Sequence, residues 1–92
     1  MIKNFKHKGL ERFFTTSNAK GIPAASASRI KRMLDVLHAS AQPSDMDVPG
    51  YHYHPLTGPM AGRHSTRVTG SLRLTFGWKE ADAVDVDLED YH

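Results

Sequence analysis

Cysteine is absent from the 92 residues, so disulfide staples and any thiolate nucleophile or metal ligand are excluded. Long apolar runs are missing as well, and no stretch approaches the ~20 residues needed to span a bilayer. The opening, Met1-Ile2-Lys3-Asn4-Phe5-Lys6-His7-Lys8, is charged and has no apolar run behind it, unlike a secretory leader. A soluble, cytoplasmic protein that engages no membrane is expected. Acidic side chains are scarce over most of the chain. Residues 1–79 carry all 12 Lys and Arg against four acids (Glu11, Asp35, Asp45, Asp47), a balance of +8; residues 80–92 carry six acids and no Lys or Arg, a balance of −6. A positive body attracts polyanions such as nucleic acid and speeds their encounter; an ordinary solvated surface is the plain alternative. At this length one domain, residues 1–92, is expected, with a thin core burying roughly 60–65 % of the surface that the unfolded chain exposes.

What is present divides the chain into two halves of different period. Ile2 and Phe5 suggest a short strand over 2–5. Leu10, Phe13 and Phe14 fall at helical spacing and predict a helix over about 6–15, broken by Thr15-Thr16-Ser17-Asn18 and Gly21. Pro23 suits a first helical turn, and Ala27, Ile30, Leu34 and Leu37 form one apolar stripe, predicting a second helix from about Pro23 to Ala41. Residues 42–50 read as a loop. From Tyr51 the period becomes two. Tyr51-His52-Tyr53-His54 alternates until Pro55 limits it to a short or edge strand; Arg63 to Thr69 follows a Gly58-Pro59 turn. After Gly70-Ser71, Leu72, Leu74, Phe76 and Trp78 alternate with polar or small neighbours, as do Val84, Val86 and Leu88. These are half-buried antiparallel strands, and two helices on one face of such a sheet make an α+β domain.

The chemistry-bearing residues gather in that second half. His54 ends one strand, Arg67 and Arg73 stand on its neighbours, and the chain closes on Asp90, Tyr91 and His92. Two imidazoles, a carboxylate, a phenol and two guanidiniums suit metal-independent RNA cleavage. A base takes the 2′-hydroxyl proton, that oxygen attacks the adjacent phosphorus, an acid protonates the departing 5′-oxygen, and a cation stabilises the phosphorane. Histidine titrates near pH ~6.5, so two of them can supply base and acid, and the planar fork of arginine matches phosphate oxygens. Each residue also has a structural reading: His54 and Arg73 as solvated strand positions, and Asp85, Asp87 and Glu89 as the wet face of the last strand. His52 and His54 with His64 or His92 are an alternative metal-ligand set, but zinc sites show more convergent ligands than this. No metal or cofactor is expected.

The opening Met1 to Leu10, the run Gly50 to Leu56 ending His54-Pro55-Leu56, the segment Gly62 to Phe76 with Arg67-Val68 and Arg73, and the closing Glu89-Asp90-Tyr91-His92 together resemble HigB-type (host inhibition of growth) toxins of the RelE superfamily. His-Pro-Leu with the terminal Asp-Tyr-His is the specific part. The resemblance implies a RelE-like fold, two N-terminal helices packed on a small, curved, mainly antiparallel sheet. It implies an endoribonuclease that cuts messenger RNA in the A site of the 30S subunit and so inhibits translation. It also implies a helix-turn-helix antitoxin, HigA, with operator DNA contacted only through the toxin–antitoxin complex. Carried over by position, His92 becomes the leading proton-transfer group, and His54 its counterpart or a substrate-orienting group. Arg73 would hold the phosphate, and Asp90 and Tyr91 would orient the imidazole or the substrate. Lys6, Lys8, Arg63 and Arg67 are candidate RNA contacts, and Lys3, Arg12, Arg29, Lys31 and Arg32 further candidates for ribosomal RNA.

Three departures stand out. Thr57 replaces the lysine that often follows His-Pro-Leu. Gly70-Ser71-Leu72-Arg73 stands where Gly-Asn-Trp-Arg is common. Arg63-His64-Ser65 replaces an aromatic-Trp-Ser run, although GraT-type relatives also carry His. They predict weaker cleavage or an altered codon preference. A module that keeps the fold and pairs with an antitoxin but cuts poorly is the alternative reading, and a nucleic-acid-binding domain unrelated to toxins is a third.

Overall fold

Strand alternation decides the architecture. The computed structural model describes residues 1–90; the expected site residues Tyr91 and His92 lie outside the described residues. Four strands, β1 (His54–Pro55), β2 (Arg63–Arg67), β3 (Leu72–Lys79) and β4 (Asp82–Asp90), form one antiparallel sheet in chain order. Helices α1 (Lys8–Thr16) and α2 (Ala27–Ala39) supply the apolar side chains packed against it. Leu10 and Phe13 of α1, Ile30, Met33, Leu34 and Leu37 of α2, and Leu74, Phe76 and Val86 of the sheet belong to one buried cluster. This is the expected α+β arrangement.

The boundaries differ from the sequence reading for local reasons. His7 is the N-cap of α1, its Nδ1 accepting the Leu10 amide at 2.9 Å, so the helix starts at Lys8. It ends where Ser17 turns left-handed (φ 66°) and returns its amide to the Phe13 carbonyl. Pro23 is extended rather than helical, and a 3₁₀ turn over Ala24–Ser26 precedes α2. Within the expected loop 42–50, Pro43–Met46 forms another 3₁₀ turn that buries Met46 completely. Its Asp45 carboxylate accepts the amides of Ala41 and Gln42, and these bonds hold the carboxyl below its ordinary pKa.

The edges also differ. Residues 2–5 do not form a regular strand; Ile2 and Phe5 make isolated parallel bridges to Ala83 and Val86 of β4. The expected strand 51–54 shrinks to His54–Pro55, because His52 sits at φ 49° and proline cannot donate to a ladder. One bulge interrupts the long hairpin, where Thr75 pairs with Asp87 but Gly77 pairs with Val84. Asp85 occupies it at φ 49° and is held by Asn4, which donates to its Oδ1 at 2.8 Å and accepts its amide at 2.9 Å.

Close backbone contact fixes α1 against the turn before α2. A Cβ added at Gly9 would stand 2.8 Å from the Gly21 carbonyl oxygen, and one at Gly21 would stand 2.7 Å from Gly9 Cα. Gly9→Ala is therefore expected to destabilise the fold by about 1–3 kcal/mol through overpacking. Gly70→Ala, with nothing within 4 Å of the added carbon, should shift stability by less than about 0.5 kcal/mol. Urea midpoints of the two variants against wild type decide this, and equal shifts would refute the close-packing account.

Candidate active site on the open sheet face

Cross-strand partners share a face, so the register alone assembles the site. One row runs His54–Ser65–Thr75–Asp87 across all four strands, and the next runs Arg67–Arg73–Glu89. A third, Arg63–Gly77–Val84, flanks the bulge. Alternate positions, such as Thr66–Leu74–Leu88 and His64–Phe76, face the helices. The sequence alternation thus places three of the expected residues, His54, Arg67 and Arg73, together on the face away from the helices.

Hydrogen bonds arrange this face. His54 is exposed, and its Nδ1 lies 3.1 Å from the His52 carbonyl. A carbonyl only accepts, so Nδ1 carries the proton, and in the neutral ring Nε2 presents its lone pair outward. Ser65, 1 % exposed and opposite His54, has a buried hydroxyl with no partner among the described residues. Arg63 Nη2 donates to Thr75 Oγ1 at 3.1 Å and to the Asp85 carbonyl at 2.9 Å, while Thr75 Oγ1 donates to Glu89 Oε2. Arg73 Nη1 donates to the Thr69 and Gly70 carbonyls at 2.8 and 3.1 Å, which turns the guanidinium onto the β2–β3 turn. Asp90 ends β4 opposite Leu72, in the register position alternate to Glu89. Sequence reading missed Ser65 and Thr75 and took Glu89 for the wet face of the last strand. The signal was their alternation with Arg63, Arg67 and Arg73, visible once strand pairing is known.

Several charged residues serve the scaffold instead. Arg29 was expected to contact ribosomal RNA, but its Nη2 donates to the Gly50 carbonyl at 2.7 Å and the Arg67 carbonyl at 2.9 Å, and its guanidinium lies 5.2 Å from the Tyr51 ring centre. It clamps the segment leading to His54 against the end of β2. Lys31 pairs with Asp35 one helical turn on, and Arg32 donates to Ser28 Oγ. Lys6 and Lys8 are exposed at the start of α1, apart from the three rows. Arg63, expected as an RNA contact, spends its Nη2 on the network above. His64 stacks between Tyr53 and Phe76, at 5.8 and 5.3 Å between ring centres, and so fills an aromatic position on the helix-facing side. It lies on the opposite face from His54, so the alternative metal set of His52, His54 and His64 is not assembled. Among the described residues no three His, Asp or Glu side chains converge as a metal site.

A family model described as the RelE-like toxin of the type II toxin–antitoxin system HigB matches residues 3–92. The chain belongs to this HigB-like toxin family. It is 36 % identical over 92 residues, the whole of both chains, to a Proteus vulgaris protein named Endoribonuclease HigB. It is 32 % identical over 91 residues to Toxin HigB-1 of Vibrio cholerae serotype O1, covering 97 % of this chain and 96 % of that one. Among solved structures, an E. coli YafQ mutant superposes with a TM-score of 0.59 at 12 % identity, covering 98 % of this chain and 93 % of the other. That last likeness concerns the fold.

In this HigB-like chain, burial, and then the Arg63 charge, lower the pKa of His64, while burial and Asp47 raise that of Tyr53. Neutral His64 can accept the Tyr53 hydroxyl proton at Nδ1, 2.9 Å away. A histidine pKa depressed by folding gives stability that is complete above the ordinary value near ~6.5 and declines as pH falls below it. His64→Phe should therefore flatten the loss of urea stability between about pH 7.5 and about pH 5.5. An unchanged decline would remove His64 from the pH response.

Proposed function

We propose that this HigB-like toxin is an endoribonuclease that cleaves messenger RNA in the ribosomal A site and so halts translation. The observation that carries the reading is the open sheet face, where an imidazole with an outward Nε2 stands in register with a buried hydroxyl that has no partner among the described residues, and beside a row of two arginines. The names of the two HigB relatives and the basic body support it. Cleavage begins when a base removes the 2′-hydroxyl proton. The 2′-oxygen bonds to phosphorus, the P–O5′ bond breaks, and an acid returns a proton to the 5′-oxygen. The products are a 2′,3′-cyclic phosphate and a 5′-hydroxyl.

His92 and His54 divide the proton transfers, with His92 leading. Arg73 holds the scissile phosphate with its planar donors, and Asp90 and Tyr91 orient imidazole or substrate. Arg67 and the Ser65 hydroxyl offer further donors to phosphate oxygens. Lys6 and Lys8 meet ribosomal RNA. A dispersed set of this kind is completed when the ribosome fixes the strand in line with the 2′-oxygen. The partner that restrains it is a HigA-type helix-turn-helix antitoxin, whose complex with the toxin occupies operator DNA, and the setting is the cytoplasm.

A second reading has one feature in its favour. Thr57, exposed two residues after β1, leaves the neighbourhood of His54 without the lysine common in the family. A weakly cutting, antitoxin-pairing module fits that feature.

Toeprinting on translating ribosomes distinguishes the two. Wild type is expected to give discrete A-site cuts that need ribosomes and survive EDTA, and His92→Ala and His54→Ala should each cut about 100-fold more slowly or worse. Full activity in His92→Ala would remove its proton-transfer role. Silence from folded wild type, relieved by Thr57→Lys, would favour the binding module.

A further inference from the structure

An open pocket of about 430 Å³ lies beside the three rows, lined by Lys3, Asn4, Lys79, Val84 and Asp85. Its size falls within the range of small-ligand sites, roughly 300–1,000 Å³, and the cleavage chemistry makes no use of it. The register puts it on the reactive side of the sheet. Val84 pairs with Gly77, and Lys79 follows Gly77 by two residues, so both project from the face that carries Arg63, Thr75 and Glu89. Val84 Cγ2 and Arg63 Nη1 lie 3.2 and 3.7 Å from where a Gly77 Cβ would stand, which confirms that these side chains cross over that glycine.

The β4 bulge builds the pocket wall. Asp85 is held left-handed by Asn4 on one side and by Arg63, on its carbonyl, on the other. Bulges and over-determined backbone of this type concentrate where a side chain must be re-aimed at a ligand. The polar groups around it are available. The ion pairs among the described residues are Met1–Asp82 and Lys31–Asp35, so Asp82, the cross-strand partner of Lys79, is already taken by the Met1 amino group at 3.3 Å. Lys3 and Lys79 carry no carboxylate partner there. Asp85 Oδ1 accepts from Asn4, and Oδ2 accepts nothing among the described residues.

We propose that this pocket is a nucleotide subsite for the messenger strand flanking the scissile bond. Lys3 and Lys79 hold a phosphate, Val84 carries the base, and Asp85 Oδ2 accepts from a base amino group. Adenine, cytosine and guanine have such a group and uracil lacks one. Arg63 joins the subsite to the reacting centre, since one nitrogen touches both Thr75 Oγ1 and the Asp85 carbonyl. Arg73 and Lys79 are six residues apart on β3, ~20 Å along the strand, so the pocket receives a nucleotide a few positions from the cleaved one rather than that nucleotide itself. The inference rests on the ribonuclease reading and extends it.

The test uses the whole toxin with Lys3→Ala/Lys79→Ala, Lys79→Arg and Asp85→Asn, the last retaining a residue type that tolerates left-handed backbone. On ribosomes programmed with messages varied around the cut, the double variant should need about tenfold more complex for half-maximal rate at an unchanged maximal rate. Lys79→Arg should behave as wild type, and Asp85→Asn should erase discrimination against uridine at one flanking position. An unchanged half-maximal concentration and an unchanged base profile would overturn the subsite. So would an equal loss of co-sedimentation with ribosomes lacking message, because the lysines would then serve ribosomal RNA. If wild type cuts no message, fluorescence anisotropy with a short 2′-O-methyl single-stranded RNA decides. Weaker binding by the double variant sustains the pocket without the cleavage reading, and equal binding ends it.

Discussion

β3 is the constraint on which everything else rests. Both of its edges are paired, and its side chains alternate between two environments, Leu74 and Phe76 toward the helices and Arg73, Thr75, Gly77 and Lys79 toward the open side. A slip of one residue would drive a guanidinium and a hydroxyl into the core and expose two large apolar groups, so burial fixes the register strongly. Because register is fixed, the polar side chains of three other strands arrive in straight rows without any loop having to carry them. A candidate site on strands is more rigid than one on loops, which suits a chemistry in which a phosphate must sit in line with an attacking oxygen.

Much of this was legible in the sequence. The two helices were visible from Leu10 and Phe13 and from Ile30, Leu34 and Leu37, since apolar spacing is a property of each helix by itself. β3 and β4 were visible for the same reason. What periodicity could not supply was pairing. The strand 2–5 became two parallel bridges because its partner lies some eighty residues away, and a short edge segment carries no mark of what it will pair with. The strand 51–54 lost its first three residues at the left-handed His52, a backbone fact without a sequence signature. Ser65 and Thr75 went unnoticed and Glu89 was read as wet surface, because a hydroxyl or carboxylate on a strand reads as surface until its cross-strand neighbours are known. Asp90 was placed correctly at the end of the last strand.

Charge proved the least readable quantity. Arg29 resembles the other cations of its helix in sequence, yet it spends its donors on two carbonyls and its plane on Tyr51. A guanidinium used in this way contributes structure rather than affinity for RNA. His64 behaves in the same manner, its ring substituting for an aromatic in a stack. The positive balance of residues 1–79 therefore overstates the charge offered to a polyanion; Lys3, Lys6, Lys8 and Lys79 are among the cations that remain outward.

The N-terminal bridges to β4 bear on how the molecule comes into being. Met1, Lys3, Asn4 and Lys6 exchange backbone hydrogen bonds with Ala83 and Val86, so these residues find their partners only across some eighty positions of sequence. Contacts of such long sequence separation form late in folding. Asp87 and Glu89 of the open face belong to the same late strand. The two helices close their hydrogen bonds within short segments, whereas the open face is assembled only when β4 is in place. The geometry of the open face thus depends on contacts that reach across most of the sequence.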